Sequence, residues 1–144
     1  NIATTFCSTG IPAVFLHPSE AQHGDLGILQ ENDVLLLISN SGKTREIVEL
    51  TTLAARLNPS LKKIVITGNA ESPLAQAADI CLFTGHPDEV CVLGMTPTTS
   101  TTVMTVMGDI LVVETMKQTQ FTIEEYSKRH HGGYLGERSR ELSK

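Results

Sequence analysis

A chain of 144 residues with 40% apolar and 19% charged positions has the make-up of one soluble globular domain. A net charge of −5, no basic cluster and no Trp argue against a nucleic-acid surface built on phosphate contacts and base stacking. No apolar stretch approaches a membrane span, and the N-terminus lacks the basic and apolar regions of a signal peptide, so a cytoplasmic protein is expected. Cys7, Cys81 and Cys91 stand apart with no C-x-x-C pairing, which leaves structural zinc unsupported and predicts Cys7 and Cys81 as small buried hydrophobes.

Along the chain a short apolar run, a polar turn and a helical stretch recur. Residues 13–16, 34–39, 64–67 and 80–83 read as four strands. The run Val34-Leu35-Leu36-Leu37-Ile38 has no polar break, as in a parallel strand covered on both faces. Ile47, Leu50, Ala54 and Leu57 then recur at helical spacing, predicting a helix over residues 44–57 that Asn58-Pro59 closes. Ser72-Pro73 opens a second, short helix, with Pro in its first turn. Strands alternating with helices predict right-handed crossovers and a parallel sheet between helical layers, an α/β three-layer sandwich. Ligands of such sheets bind beyond the carboxyl ends of the strands, where Ser39 to Gly42 and Gly68-Asn69 both fall.

The loop Ser39-Asn40-Ser41-Gly42-Lys43-Thr44 joins the second predicted strand to its helix. A helix opening there points unpaired backbone N–H groups outward, and the hydroxyls of Ser39, Ser41 and Thr44 add donors, which together make a seat for a phosphate. Glu46 follows in the first turn, and a carboxylate beside an anion site suggests proton transfer. A Walker A loop would place glycine where Leu37 stands, and no G-x-G-x-x-G is present, so neither nucleotide fingerprint applies. Read without a ligand, the same segment is a polar turn with Thr44 as helix cap and Glu46 on the helix dipole.

Thr96-Pro97-Thr98-Thr99-Ser100-Thr101-Thr102 precedes a helical run over residues 103–117. Its hydroxyls suit a first turn and offer either a second donor set or simple backbone capping. After a helical turn at residues 121–126, His130-His131-Gly132-Gly133-Tyr134-Leu135-Gly136 predicts a tight, irregular and mobile path with two histidines free to meet a ligand or simply solvated.

Three segments, residues 6–27 (FCSTGIPAVFLHPSEAQHGDLG), 39–46 (SNSGKTRE) and 96–109 (TPTTSTTVMTVMGD), resemble the sugar isomerase (SIS) domain of arabinose 5-phosphate isomerases. The tail at 130–136 is similar to that family's H-P-G-G-x-L-G signature. The resemblance covers nearly the whole chain. It implies a flavodoxin-like or Rossmann-like fold with a five-stranded parallel sheet, and a homo-tetramer with sites near subunit interfaces. It also implies a sugar phosphate as the small-molecule partner, with no metal or organic cofactor. Relative to the family, the chain starts inside the helix that follows a first strand and a G-K-S-G loop, so residues 1–144 are expected to be one N-terminally incomplete SIS domain. His131 stands for the signature's proline, and the tandem CBS modules common after the tail are not in the sequence.

The activity implied is interconversion of ribulose 5-phosphate and arabinose 5-phosphate through an enediolate, feeding Kdo synthesis for lipopolysaccharide or capsule. Such a reaction needs a base that moves a proton between neighbouring carbons and donors for the enediolate oxygens. By matching positions, Ser39, Ser41 and Thr44 would hold phosphate, with Ser100 and Thr101 as further candidates. Glu46 and Glu89 match the two candidate acid/base carboxylates. His23 and His130 match histidines that would open the sugar ring or polarise its oxygen. His17 and His23, six apart, have no recognised zinc spacing. Two alternatives stay open: a non-catalytic sugar-phosphate sensor, and another SIS phosphosugar isomerase.

Overall fold

The apolar run of the second predicted strand forms β1 (Val34–Ile38), with Leu35 and Leu37 buried and Leu36 and Ile38 half-buried on the opposite face. In this computed structural model, which describes residues 1–144, β1 pairs in parallel with β2 (Lys62–Thr67), and β2 with β3 (Ile80–Phe83). The strand order β1-β2-β3 follows the chain, as successive crossovers of one hand require. The helices are α1 (Ile2–Ser8), α2 (Pro18–Ala21), α3 (Arg45–Leu57), α4 (Pro73–Gln76), α5 (Thr99–Gln118), α6 (Ile123–Ser127) and α7 (Gly133–Leu142). A 3-10 turn spans Asp25–Ile28.

Two compact units make up the chain. The first, Leu16–Met107, holds the sheet. Its core joins Leu35, Leu37, Leu61 and Val65 of the sheet side to Leu50 and Ala54 of α3, Leu74 of α4 and Ala21 of α2. Both crossover helices therefore cover the same sheet face. Leu74 and Val65 are fully buried, so truncating either removes a complete side chain's transfer free energy and leaves a cavity. Helix α3 stops where Asn58 leaves helical geometry (φ −138°, ψ 95°), its N–H still donating to the Ala54 carbonyl at 2.8 Å before Pro59. Ser72 opens α4 by accepting the Ala75 N–H at 3.2 Å, with Pro73 in the first turn.

The second unit comprises Asn1–Phe15 and Gly108–Lys144. Gly108 lets Ile2 lie against the helix: a Cβ on the glycine would sit 2.2 Å from Ile2 Cδ1. Phe121 meets Tyr126 edge to face at 6.5 Å, and the Arg129 guanidinium lies 5.6 Å above the Phe121 ring.

Three features depart from the sequence expectations. Residues 13–16 form no strand, and the sheet has three strands rather than four. The Cys7 thiol donates to the Ala13 carbonyl at 3.0 Å while Val14 and Phe15 lie exposed, so this apolar run folds back on α1 and meets no ladder. Cys7 and Cys81 are exposed rather than buried; Cys81 sits on β3, which has a strand neighbour on one side alone. The glycine-rich tail is irregular only over residues 130–132; from Gly133, at φ +63°, it is α7, whose Gly136 is the contact point. A Cβ there would lie 2.7 Å from the His130 carbonyl.

Candidate functional site

The loop between β1 and α3 is built on buried hydroxyls. Ser39, buried at the end of β1, shares a 2.8 Å hydrogen bond with the Thr44 hydroxyl, and its Oγ accepts the Gly42 N–H at 3.1 Å. Gly42 turns with φ +63°, a region glycine enters without strain. The loop is also tied to its neighbours at the carboxyl edge of the sheet. The Gly68 N–H and the Thr67 hydroxyl both donate to the Asn40 carbonyl, at 3.0 and 3.2 Å, and the Leu74 N–H donates to the Gly42 carbonyl at 3.2 Å. Two predicted ligand loops thus meet at one edge, as the parallel topology requires.

Ser41 and Lys43 are exposed beside this frame, as is Thr44 apart from the hydroxyl it shares with Ser39. Thr44 caps α3 by position but makes no side-chain cap bond, which leaves the N–H groups of the first turn aimed at solvent together with the positive end of a 13-residue helix. Beside them lies a cavity of about 350 Å³ lined by Ser41, Lys43, Gly68, Asn69 and His86. Lys43 forms no ion pair within the chain, so its ammonium is available to an anion there. A phosphate ester with a short polar tail matches such a hollow in size and charge.

Glu46 is exposed in the first turn of α3, and its carboxylate accepts no hydrogen bond within the chain. Glu89 stands quite differently. Its Oε2 accepts the Thr98 N–H at 2.7 Å, the Thr98 hydroxyl at 2.6 Å and the Ser100 N–H at 3.4 Å, so it caps the start of α5. The Ser100 and Thr98 hydroxyls hold its carboxyl down to about 2. An anion stabilised to that degree is a weak base as it stands. Ser100 is buried against this cap, and Thr101 donates its hydroxyl to the Thr98 carbonyl at 2.8 Å. In the Thr-rich stretch, backbone capping is therefore the arrangement present, with Thr102 and Thr105 bonding in the same way.

His23 is exposed just before the 3-10 turn. His130 belongs to the second unit, where its ring stacks on Tyr126 at 3.7 Å and its Nδ1 lies 2.9 Å from the Tyr126 carbonyl. These two contacts orient its ring within that unit. No group of three His, Cys, Asp or Glu side chains is arranged to take a metal ion.

Of the side chains predicted to hold phosphate or move protons, Ser41 alone lines the cavity, joined by Gly68 and Asn69 of the second predicted ligand loop, while Ser39 and Thr44 build the loop beside it. Lys43 and His86 are additions that the sequence reading missed. The signal for His86 was its place just after β3 in the segment Gly85-His86-Pro87, at the edge where parallel sheets bind ligands.

Comparison with known proteins gives this geometry its relatives. The SIS domain profile matches residues 1–114. Arabinose 5-phosphate isomerase KdsD of Pseudomonas aeruginosa is 48% identical over 137 residues, covering 95% of this chain and 41% of that protein. KdsD of Escherichia coli K12 is 48% identical over 135 residues, covering 94% and 40%. The chain thus spans about two fifths of the length of these curated relatives. Among solved structures, a putative phosphosugar isomerase involved in capsule formation from Bacteroides fragilis is 85% identical with a TM-score of 0.90, over 93% of this chain and 70% of that one. An Escherichia coli protein in complex with arabinose 5-phosphate is 36% identical with a TM-score of 0.83, over 90% and 68%. With a profile match over more than half its residues and relatives at this level of identity, the chain belongs to the SIS domain family.

Proposed function

We propose that this SIS domain is the catalytic part of an aldose-ketose isomerase that interconverts ribulose 5-phosphate and arabinose 5-phosphate. The observation that carries the reading is the start of α3: outward N–H groups, exposed Ser41 and Thr44, and an unpaired Lys43 converge beside a cavity of about 350 Å³. The names of the KdsD relatives and the sugar-phosphate complex of a 36% identical protein support the choice of sugar.

In this mechanism the phosphate sits on the loop, held by N–H groups at the α3 terminus, by Ser41 and Thr44, and by Lys43; Ser39 braces the loop from within. The open-chain sugar then extends along the carboxyl edge of the sheet. Glu46, exposed and with no hydrogen bond to its carboxylate, is the first choice to take the proton from C2 of arabinose 5-phosphate (C1 of ribulose 5-phosphate) and return it to the neighbouring carbon. Glu89 serves as the second carboxylate only after leaving the α5 terminus. Ser100 and Thr101 reach substrate only if that cap opens as well. His23 and His130 open the ring or polarise the substrate oxygen, and the enzyme is a homo-tetramer with sites near subunit interfaces. No cofactor is assigned to the reaction. The enzyme works in the cytoplasm and supplies Kdo synthesis for lipopolysaccharide or capsule.

The test is to incubate the complete protein with ribulose 5-phosphate in deuterated water. Deuterium at C2 of arabinose 5-phosphate is the expected result. Binding of sugar phosphate with neither product nor label would instead make the domain a sensor.

A further inference from the structure

His86 has no role in any of the sequence expectations, yet its backbone at the carboxyl edge of the sheet is held in an unusual conformation. It is one of two non-glycine residues with positive φ (+51°), and Pro87 follows it. A β-carbon disfavours that left-handed backbone, and a following proline restricts the residue further toward extended geometry. Such a conformation persists where surroundings impose it, and those places concentrate at ligand sites.

The surroundings are Gly68 and Asn40. A Cβ on Gly68 would lie 2.4 Å from Asn40 Oδ1 and 3.2 Å from His86 Nδ1, so the carboxamide and the imidazole close on the same stretch of backbone. Asn40 Oδ1 is buried without any hydrogen-bond partner. An acceptor left unpaired in that position is costly, and a donor arriving with a ligand would satisfy it. His86 also lines the cavity next to Ser41 and Lys43, and an imidazole can both donate and accept.

We propose that His86 is a substrate-contacting residue: with the Asn40 carboxamide it grips a hydroxyl of the sugar while the adjacent loop holds the phosphate. The pair would distinguish a polyhydroxylated phosphate ester from bare phosphate. This rests on the sugar-phosphate reading of the site and adds to it the residue that senses the sugar end.

The experiment compares binding of arabinose 5-phosphate and of inorganic phosphate by titration calorimetry in the complete protein and its His86→Gly and His86→Asn variants. Glycine accepts φ +51° freely, so His86→Gly is expected to melt about 2–4 °C higher than the wild type. It should nevertheless bind arabinose 5-phosphate about ten-fold more weakly, with phosphate affinity changed less than about two-fold. His86→Asn, which keeps a donor and an acceptor, should recover part of the loss. Unchanged arabinose 5-phosphate binding in His86→Gly would overturn the proposal, as would an equal loss for both ligands. A wild type that binds phosphate but not arabinose 5-phosphate would instead remove the isomerase reading, and this inference with it.

Discussion

Gly42 and Ser72 touch so closely that a methyl group on the glycine would lie 2.0 Å from the serine hydroxyl oxygen and 2.4 Å from its Cβ. Two elements are locked by this contact: the turn beneath the proposed phosphate seat and the first residue of α4's cap.

Gly42→Ala therefore meets both a clash and a left-handed backbone at φ +63°. It should lower stability by about 1–3 kcal/mol in urea titration and weaken phosphate binding. In a Ser72→Gly background the same change should cost clearly less, because the hydroxyl and Cβ that oppose the methyl are gone. Equal costs in both backgrounds would show that the contact does not set the turn.

Glu89 gives a pH signature. Its carboxyl titrates at about 2 in the folded chain against an ordinary 4.5, so its contribution is complete above about pH 4.5 and is lost as pH falls toward 2. The melting temperature of the wild type should exceed that of Glu89→Gln at about pH 6, and the gap should narrow by about pH 3. A gap independent of pH would mean that the carboxylate does not secure the α5 terminus.

Gly108 and Ile2 allow a reversal of sign. Gly108→Ala alone crowds Ile2 and should destabilise by about 1–3 kcal/mol. With Ile2→Ala already present the methyl has room, and the helix preference for alanine over glycine, about 1 kcal/mol, should make the second change neutral or stabilising. Thermal melts of the four proteins in the cycle decide it.

Cys91 should be a reactive thiol. The Thr96 hydroxyl leads the groups that bring it down to about 7, aided by N–H donors from Thr96 and Met95 at 3.1 and 3.2 Å. Iodoacetamide labelling of Cys91 should rise through a midpoint at about pH 7, read by peptide mass spectrometry. A midpoint near the free-cysteine value of about 8.5 would count against the geometry.

Much of this was readable from residues because local rules and tertiary needs agree. The β1 run and the α3 periodicity each specify one element, and their junction placed the loop correctly. Residues 13–16 misled because an apolar run records burial preference without naming a partner, and Cys7 supplies a local one instead. Cys81 misled for a related reason: exposure on an outer strand depends on what lies alongside, which β3's own four residues do not encode. Ser39, Ser41 and Thr44 read as one set of phosphate donors, and the Ser39–Thr44 hydrogen bond that turns two of these hydroxyls on each other was not legible, because it depends on how the loop folds back. The Glu89 cap was not legible either, because it joins positions nine to eleven apart across an irregular loop. His86 escaped notice because its importance lies in a backbone angle and in its closeness to Gly68, neither of which residue type announces.

The hydrogen bond from the Leu74 amide to the Gly42 carbonyl makes a reporter out of a residue whose side chain sits deep in the core. Whenever the turn lifts, that amide loses its acceptor and becomes open to deuterium, even if α4 itself stays folded. Slower exchange at Leu74 on adding a phosphate ester would register occupancy of the turn from the interior side, where no ligand reaches.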